Sequence, residues 1–530
     1  MLPPSFNFSF LSTIFPITIP VMSFIRKKGY SYQFDLPLTH AVYHKGSRQL
    51  TWAKILTLLG GIALCLVALT KQISLGVGYP FQNEPPNLQK FQECSIRNML
   101  STGLYFLEGV TAPTVEHFES RRNRLAHALI ADGVDAFVLE PGYTFEYYAN
   151  ISQRDWEPWE PEERPFLMVV QPHHGPETGI VTAKTSFLCP AFETERARLL
   201  SMPFSEPIDI IPWKEHWNPY ETLLKSEIFS TKASDRRPRL MVDEEMRDYI
   251  QRGLHENGFE VVGLQNNVER VRQMKSQEEI DILRAVNTGS VEAVRQMRKC
   301  WSFVTFKYCS NLLAGLYPGL TETEIQNVLD NTLRAVGLEQ FFDIVLFDEN
   351  ASNPHGGTNG SKALSAETFV LIDVGAHLYG YSSDITRTFF PPFLDRPQFK
   401  ENISPNLKKK LEVWDVVFAA QSRSFEQLHA NATAASVDIA ARNVIESAGY
   451  GHAFTHRVGH GIGIKAHESP YMNKGNYKSI LQPGMTFTSE PGIYLVNEFG
   501  VRVEDVVLVN GEDEEPTLLT GQRARGPWDP

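Results

Sequence analysis

Two aspartates stand eleven residues apart in LIDVGAHLYGYSSDITRTF: Asp373 closes an apolar strand pattern, and Asp384 lies on what reads as the returning strand. Gly375 and Gly380 lie between them and allow the turn. Such a hairpin brings two carboxylates face to face. A carboxylate in an apolar run is costly to bury unless it is paired or holds a metal. Taken alone, the segment is equally explained by one aspartate capping a turn and the other pairing with Arg387.

HRVGHGIGIKAHESP carries His456, His460 and His467 among Gly459, Gly461 and Gly463. Glycine lets backbone pass close to a site. A lone histidine is more often a satisfied core residue than a ligand; three within twelve residues, with glycines between, shift that balance. Glu490 ends a strand pattern before a Pro-Gly turn in PGMTFTSEPGIYL. Glu504 sits in VRVEDVVLV, a β-rich run where acidic residues are depleted. An exposed strand face would account for either glutamate alone. Together the segments supply Asp, Asp, His, Glu and Glu. Four carboxylates and one imidazole suit two divalent cations sharing bridging carboxylates. Oxygen-rich ligation favours a hard metal such as manganese over a thiolate-type zinc site.

The elements around these segments predict an α/β (α+β) chain. From Val115, HFESRRNRLAHALIADG has helical spacing and VDAFVLEP reads as a buried strand. Strand and helix patterns alternate to about Leu264, which predicts a compact α/β domain over 115–265. A second domain, over 270–518, opens with RVRQMKSQEEIDILRAVNTGSVEAVRQM, where Ser276 and Glu279 fit a capping box. PGLTETEIQNVLDNTLRAVG is a further helix, capped by Thr321 and stopped at Gly337. A long helical stretch runs from about Lys408 to Gly449, and the last region is strand-rich.

With 530 residues, two or three domains are expected. The net charge of −12 argues against a nucleic-acid partner, which needs clustered Lys and Arg. The five cysteines, Cys65, Cys94, Cys189, Cys300 and Cys309, form no CxxC pair; they read as scattered thiols, and no disulfide is assignable from their positions. Sixteen uncharged residues, Ile55–Thr70, lie between Lys54 and Lys71. They predict a signal anchor over 55–71, with a cytosolic tail over 1–54 and a stem over 72–114. The basic residues Arg26, Lys27, Lys28, Lys45, Arg48 and Lys54 precede the segment, so the expected topology is type II, with the catalytic part lumenal or extracellular. Residues 1–21 are uncharged and proline-bearing, and Met22 is an alternative start. Asn150, Asn359, Asn402 and Asn431 each open an N-x-S/T sequon.

The motif set, in its order, resembles the pita-bread metallopeptidases: creatinase, prolidase, aminopeptidase P and methionine aminopeptidase. The resemblance covers about residues 115–515, and the 115–265 region is similar to the creatinase-type N-terminal domain. It implies Asp373, Asp384, His460, Glu490 and Glu504 as ligands of two divalent metal ions, with Asp384 and Glu504 bridging. It implies His355, in NPHGG, as a substrate-side histidine and His467 as the group that steadies the tetrahedral intermediate. Glu490 serves in catalysis as well as metal binding, and His456 and Arg502 match substrate-side or supporting positions. The activity implied is release of an N-terminal residue from an Xaa-Pro bond. Two alternatives are a creatinase-like hydrolase of a non-peptide C–N bond and a non-catalytic binding module; the intact ligand set argues against both. A homodimer is left open. Trp301–Gly315 interrupts the usual run between the first two helices and reads either as an extra loop or as normally untranslated sequence retained in the chain.

Overall fold

Alternating apolar residues in short strands give the region after Val115 its sheet. The computed structural model describes residues 88–156, 164–175, 179–230, 236–300, 315–397 and 403–530. The expected tail and anchor over 1–71, the alternative start at Met22, Asn402 and residues 301–314 of the expected extra loop lie outside the described residues. Among the described residues, no helix is long and apolar enough to cross a membrane.

Strands β1 (Ala136–Leu139), β2 (Leu167–His174), β3 (Val181–Pro190), β4 (Asp209–Trp213), β5 (Arg239–Val242) and β6 (Glu260–Gly263) form a mixed sheet in the order β4-β3-β2-β1-β5-β6. Ala136, Val138, Leu167, Val169, Leu240 and Val242 put every second side chain into one apolar cluster.

Two long helices open the next region, and local chemistry sets their starts. Ser276 caps Gln277–Arg298, and Thr321 caps Glu322–Ala335; both capping boxes form with Glu279 and Glu324 as the sequence predicts. The strands that follow are β7 (Glu339–Phe347), β8 (Val370–Leu378), β9 (Tyr381–Ser382) and β10 (Ile385–Phe389). They pair in the order β10-β8-β7, with β9 folded back on β8. Then come β11 (Gly459–Gly461), β12 (Glu468–Met472), β13 (Thr486–Ser489), β14 (Gly492–Leu495), β15 (Phe499–Arg502), β16 (Asp505–Leu508) and β17 (Thr517–Leu518). Five of these form the sheet β12-β11-β13-β16-β17, and β14 and β15 form a hairpin.

Three expectations change. The stretch from Lys408 to Gly449 is two helices, Pro405–Phe425 and Ala434–Ser447, because Asn431 takes a left-handed backbone (φ 68°) and Thr433 caps a new start. Part of the expected stem is helix Leu88–Ser101, which buries Phe91 and Met99 in the same core as helix Gln277–Arg298. Its Ser95 hydroxyl meets Thr332 at 2.7 Å, and Cys94 forms a disulfide with Cys300. Polar Ser95 and Cys94 on its inner side hide the helical period from a sequence reading. Finally, Gly375 is not in the hairpin turn. The turn is Tyr379–Gly380, both with positive φ, while Gly375 lies inside β8, where a Cβ would collide with the Phe342 ring.

Candidate metal centre

The hairpin of β8 and β10 does what the spacing predicts. Thr386 lies opposite Asp373 in the antiparallel register, and Asp384 immediately precedes β10. The alternative, one of the two aspartates paired with Arg387, is not what forms: Arg387 lies wholly buried and reaches Asp505 at 2.6 Å. Residues 384 and 387 project to different faces of a pleated strand, so one serves the site and the other the core.

His460 comes from β11, whose glycine neighbours permit the close approach: a Cβ on Gly459 would meet the Thr488 carbonyl oxygen at 2.1 Å. Glu490 follows β13 directly, its amide donating to the Val458 carbonyl at 2.7 Å. Glu504 stands between β15 and β16, its amide donating to Thr386 at 3.1 Å. Four elements thus converge, and all five sequence-predicted ligands meet. Ligand atoms of Asp373, Asp384 and Glu504 lie within 4.8 Å of one another, as do those of His460, Glu490 and Glu504, and of Asp384, His460 and His467.

Electrostatics in this cluster are unresolved by protein groups alone. Burial, then the charge of neighbouring carboxylates, drives Asp384 and Glu504 well above the usual carboxylate range. Burial also raises Asp373, against the opposing pull of Arg502. Glu490 goes the other way, to about 2: burial would raise it, but His460, His456 and Arg502 outweigh that. Oδ1 of Asp373 and Oε1 of Glu504 are buried without a hydrogen-bond partner among the described residues. Nδ1 of His460 faces the Gly461 carbonyl at 3.0 Å, and Nε2 lies 3.3 Å from Glu490 and 3.6 Å from Asp384. Orphaned carboxylate oxygens fit divalent cations, and with a cation bound a proton kept on Nδ1 would leave the Nε2 lone pair for it.

A supporting layer fixes the ligands. Thr386 donates its hydroxyl to Glu504 at 2.7 Å, and Asn287 accepts the Asp384 amide at 3.2 Å. Arg502 donates to Asp373 at 2.5 Å, to the Tyr494 hydroxyl at 2.9 Å and to Thr386 at 2.8 Å. It is 2% exposed, so it stands behind the ligands and not on an open wall where a substrate would lie. Its side chain is consumed by holding Asp373. His456 meets the same Tyr494 hydroxyl at 2.7 Å. His467 is half-exposed, with Nε2 3.7 Å from Asp384. Burial, then the charges of His460 and Arg457, pushes its imidazole down to about 4. His355 is exposed and acts electrostatically on His467. Sequence reasoning missed Thr386, Asn287 and Tyr494. Thr386 was recoverable, because residues two apart on a strand share a face with Asp384; Asn287 sits on a distant helix and carried no local signal.

The segment around His467 is tied to the N-terminal sheet. Lys465 reaches Glu244 at 2.6 Å and Glu245 at 2.8 Å, just after β5. Glu468 is 1% exposed and binds Lys275 and, at 3.2 Å, Arg272, which in turn reaches Glu244 at 3.1 Å.

Comparison with known proteins agrees with this layout. Residues 295–511 match the model of metallopeptidase family M24. An uncharacterized peptidase of Schizosaccharomyces pombe is 36% identical over 454 residues, covering 84% of this chain and 90% of its own length. A Staphylococcus aureus relative, also named an uncharacterized peptidase, is 30% identical over 67% of this chain and 88% of its own. Among solved structures, an Xaa-Pro dipeptidase from Bacillus anthracis superposes with a TM-score of 0.58 at 25% identity, over 76% of this chain and 98% of that one. A prolidase from Thermococcus sibiricus gives 0.59 at 25%, over 77% and 98%. The fold is therefore the pita-bread fold behind a creatinase-type α/β domain, and the chain belongs to metallopeptidase family M24, as a peptidase of the creatinase, prolidase and aminopeptidase P kind.

Proposed function

We propose that the chain hydrolyses the N-terminal Xaa-Pro bond of peptides, with two divalent cations, manganese by preference, held by Asp373, Asp384, His460, Glu490 and Glu504. The observation that carries this is the convergence of four buried carboxylates and one imidazole, with two carboxylate oxygens that have no hydrogen-bond partner among the described residues. When bound, such a pair of cations lowers the pKa of a water between them and polarises the scissile carbonyl. Asp384 and Glu504 each stand in two of the three ligand groups and would be the carboxylates shared between the cations. Glu490, kept anionic, takes the proton from the attacking water and passes it to the leaving nitrogen. His467 stands at the open side and donates to the developing oxyanion. His355 lines the substrate side, and Arg502 with His456 holds the wall behind Asp373 in place.

The Xaa-Pro preference is supported by likeness to the Bacillus anthracis Xaa-Pro dipeptidase and by the chemistry of proline, whose rigid ring and missing N–H let a shaped pocket select it. The anchor reading of residues 55–71 and the type II topology remain part of the proposal and rest on the charge pattern. Metal analysis of the purified protein, combined with a panel of Xaa-Pro and Xaa-Ala peptides, tests the activity. Manganese should restore turnover after chelation, and Xaa-Pro peptides should be cleaved at least tenfold faster, about 1.4 kcal/mol of discrimination. Equal cleavage of both series would end the Xaa-Pro assignment while leaving the peptidase intact.

A further inference from the structure

Four sequons lie among the described residues, at Asn150, Asn350, Asn359 and Asn431; Asn350 is half-buried with its Nδ2 held by the Glu322 carboxylate at 2.9 and 3.0 Å, which sets it apart from the other three. Asn150, Asn359 and Asn431 are all exposed. In two of them the next residue points inward: Ile151 is 2% exposed and Ala432 is 8% exposed. Asn150 ends a short helix with φ 55°, and Asn431 bridges two helices with φ 68°. A left-handed residue turns the chain and throws its side chain away from the packed element. Asn359 lies in a glycine-rich loop, and its Oδ1 accepts from the Ser361 hydroxyl at 2.7 Å. A large group on Nδ2 at these positions displaces no core residue.

A separate observation concerns the compartment. Cys94 and Cys300 are joined across 206 residues of sequence, and Cys300 is 1% exposed. Such bonds persist in oxidising compartments and are rare where thiols are kept reduced. N-linked glycans are added in an oxidising compartment too. Exposed sequons alone arise by chance, and a disulfide alone names no modification; together they point to one history for the chain.

We propose that Asn150, Asn359 and Asn431 carry N-linked oligosaccharides, on a chain whose Cys94–Cys300 bond forms in the same lumen. The donor is a lipid-pyrophosphate-linked oligosaccharide. The asparagine Nδ2 forms a bond to the anomeric carbon, the carbon–oxygen bond to pyrophosphate breaks, the lipid pyrophosphate departs and the amide loses one proton. The disulfide forms by exchange: two thiols lose two electrons and two protons to a partner protein's disulfide, which becomes a dithiol.

The test is peptide mapping of the full chain purified from a eukaryotic host. The protein is alkylated without reductant, then treated in heavy-oxygen water with a peptide:N-glycosidase, an amidase that hydrolyses the glycosylated asparagine amide to aspartate. Labelled aspartate is expected at positions 150, 359 and 431, together with a cross-linked Cys94–Cys300 peptide. Ser152→Ala and Ser361→Ala keep the asparagine but remove the sequon, and each should lose one step of the mobility shift. Unlabelled asparagine at all three positions overturns the proposal, as does recovery of Cys94 and Cys300 as alkylated thiols. A Ser152→Ala or Ser361→Ala protein with an unchanged shift overturns the assignment at that position.

Discussion

Asp384 and Glu504 differ from an ordinary buried ion pair in having like-charged neighbours on several sides. Each carboxylate is intolerable there alone, which is why cations fit. Replacing a ligand and replacing its support should therefore give separable results. Asp384→Asn should lose metal and reduce kcat/KM beyond the range of about 10–100-fold typical of supporting positions. Thr386→Val, which removes the hydroxyl bond to Glu504 and the one accepted from Arg502, should stay inside that range of about 10–100-fold. Metal content and turnover measured side by side check both, and full activity in Asp384→Asn would refute its ligand role. His377 offers a prediction about pH. Its Nε2 is buried without a hydrogen-bond partner among the described residues, and burial holds the imidazole near 4, down from 6.5. A depressed folded-state pKa means that the unfolded chain takes up the proton first. The contribution is fully present above about pH 6.5 and is lost as pH falls towards 4. His377→Phe, stacked on Phe341 in its place, should flatten that part of the stability–pH curve in urea unfolding. An unchanged curve would show that His377 is not the group responsible.

At the scale of elements, what could be read ahead was what neighbours in sequence decide. Ser276 with Glu279, and Thr321 with Glu324, announce helix starts because the whole capping circuit lies within four residues. The Asp373–Asp384 hairpin was legible for the same reason, and the order of the five ligands was legible from their motifs. Distant pairings were not. Nothing in VRVEDVVLV says that Asp505 turns to Arg387 while Glu504 turns to the site, although alternation along a strand requires opposite faces. Gly375 was assigned to the wrong task because its real constraint, the ring of Phe342, comes from a strand more than thirty residues earlier. Helix Leu88–Ser101 was hidden since its inner side mixes Phe91 and Met99 with Ser95.

For the molecule as a whole, the ionic chain from Glu244 through Arg272 to Glu468 joins the N-terminal sheet to the segment that presents His467. Its members are mostly buried, so one neutralised partner leaves charges stranded. Glu468→Gln should cost about 3–5 kcal/mol of stability, read as a lowered melting temperature. It should also reduce kcat while metal content stays near that of the parent. Unaltered stability and turnover would show that the two halves do not depend on this contact.

The Cys94–Cys300 bond has a topological consequence of its own. It makes the entire N-terminal domain a closed ring of chain, entered and left at one point on the catalytic half. A single protease cut within that ring creates two fragments that cannot part. The nicked protein should migrate as one species on a denaturing gel until thiol is added, and only then as two. A domain held in this way can be broken without being shed.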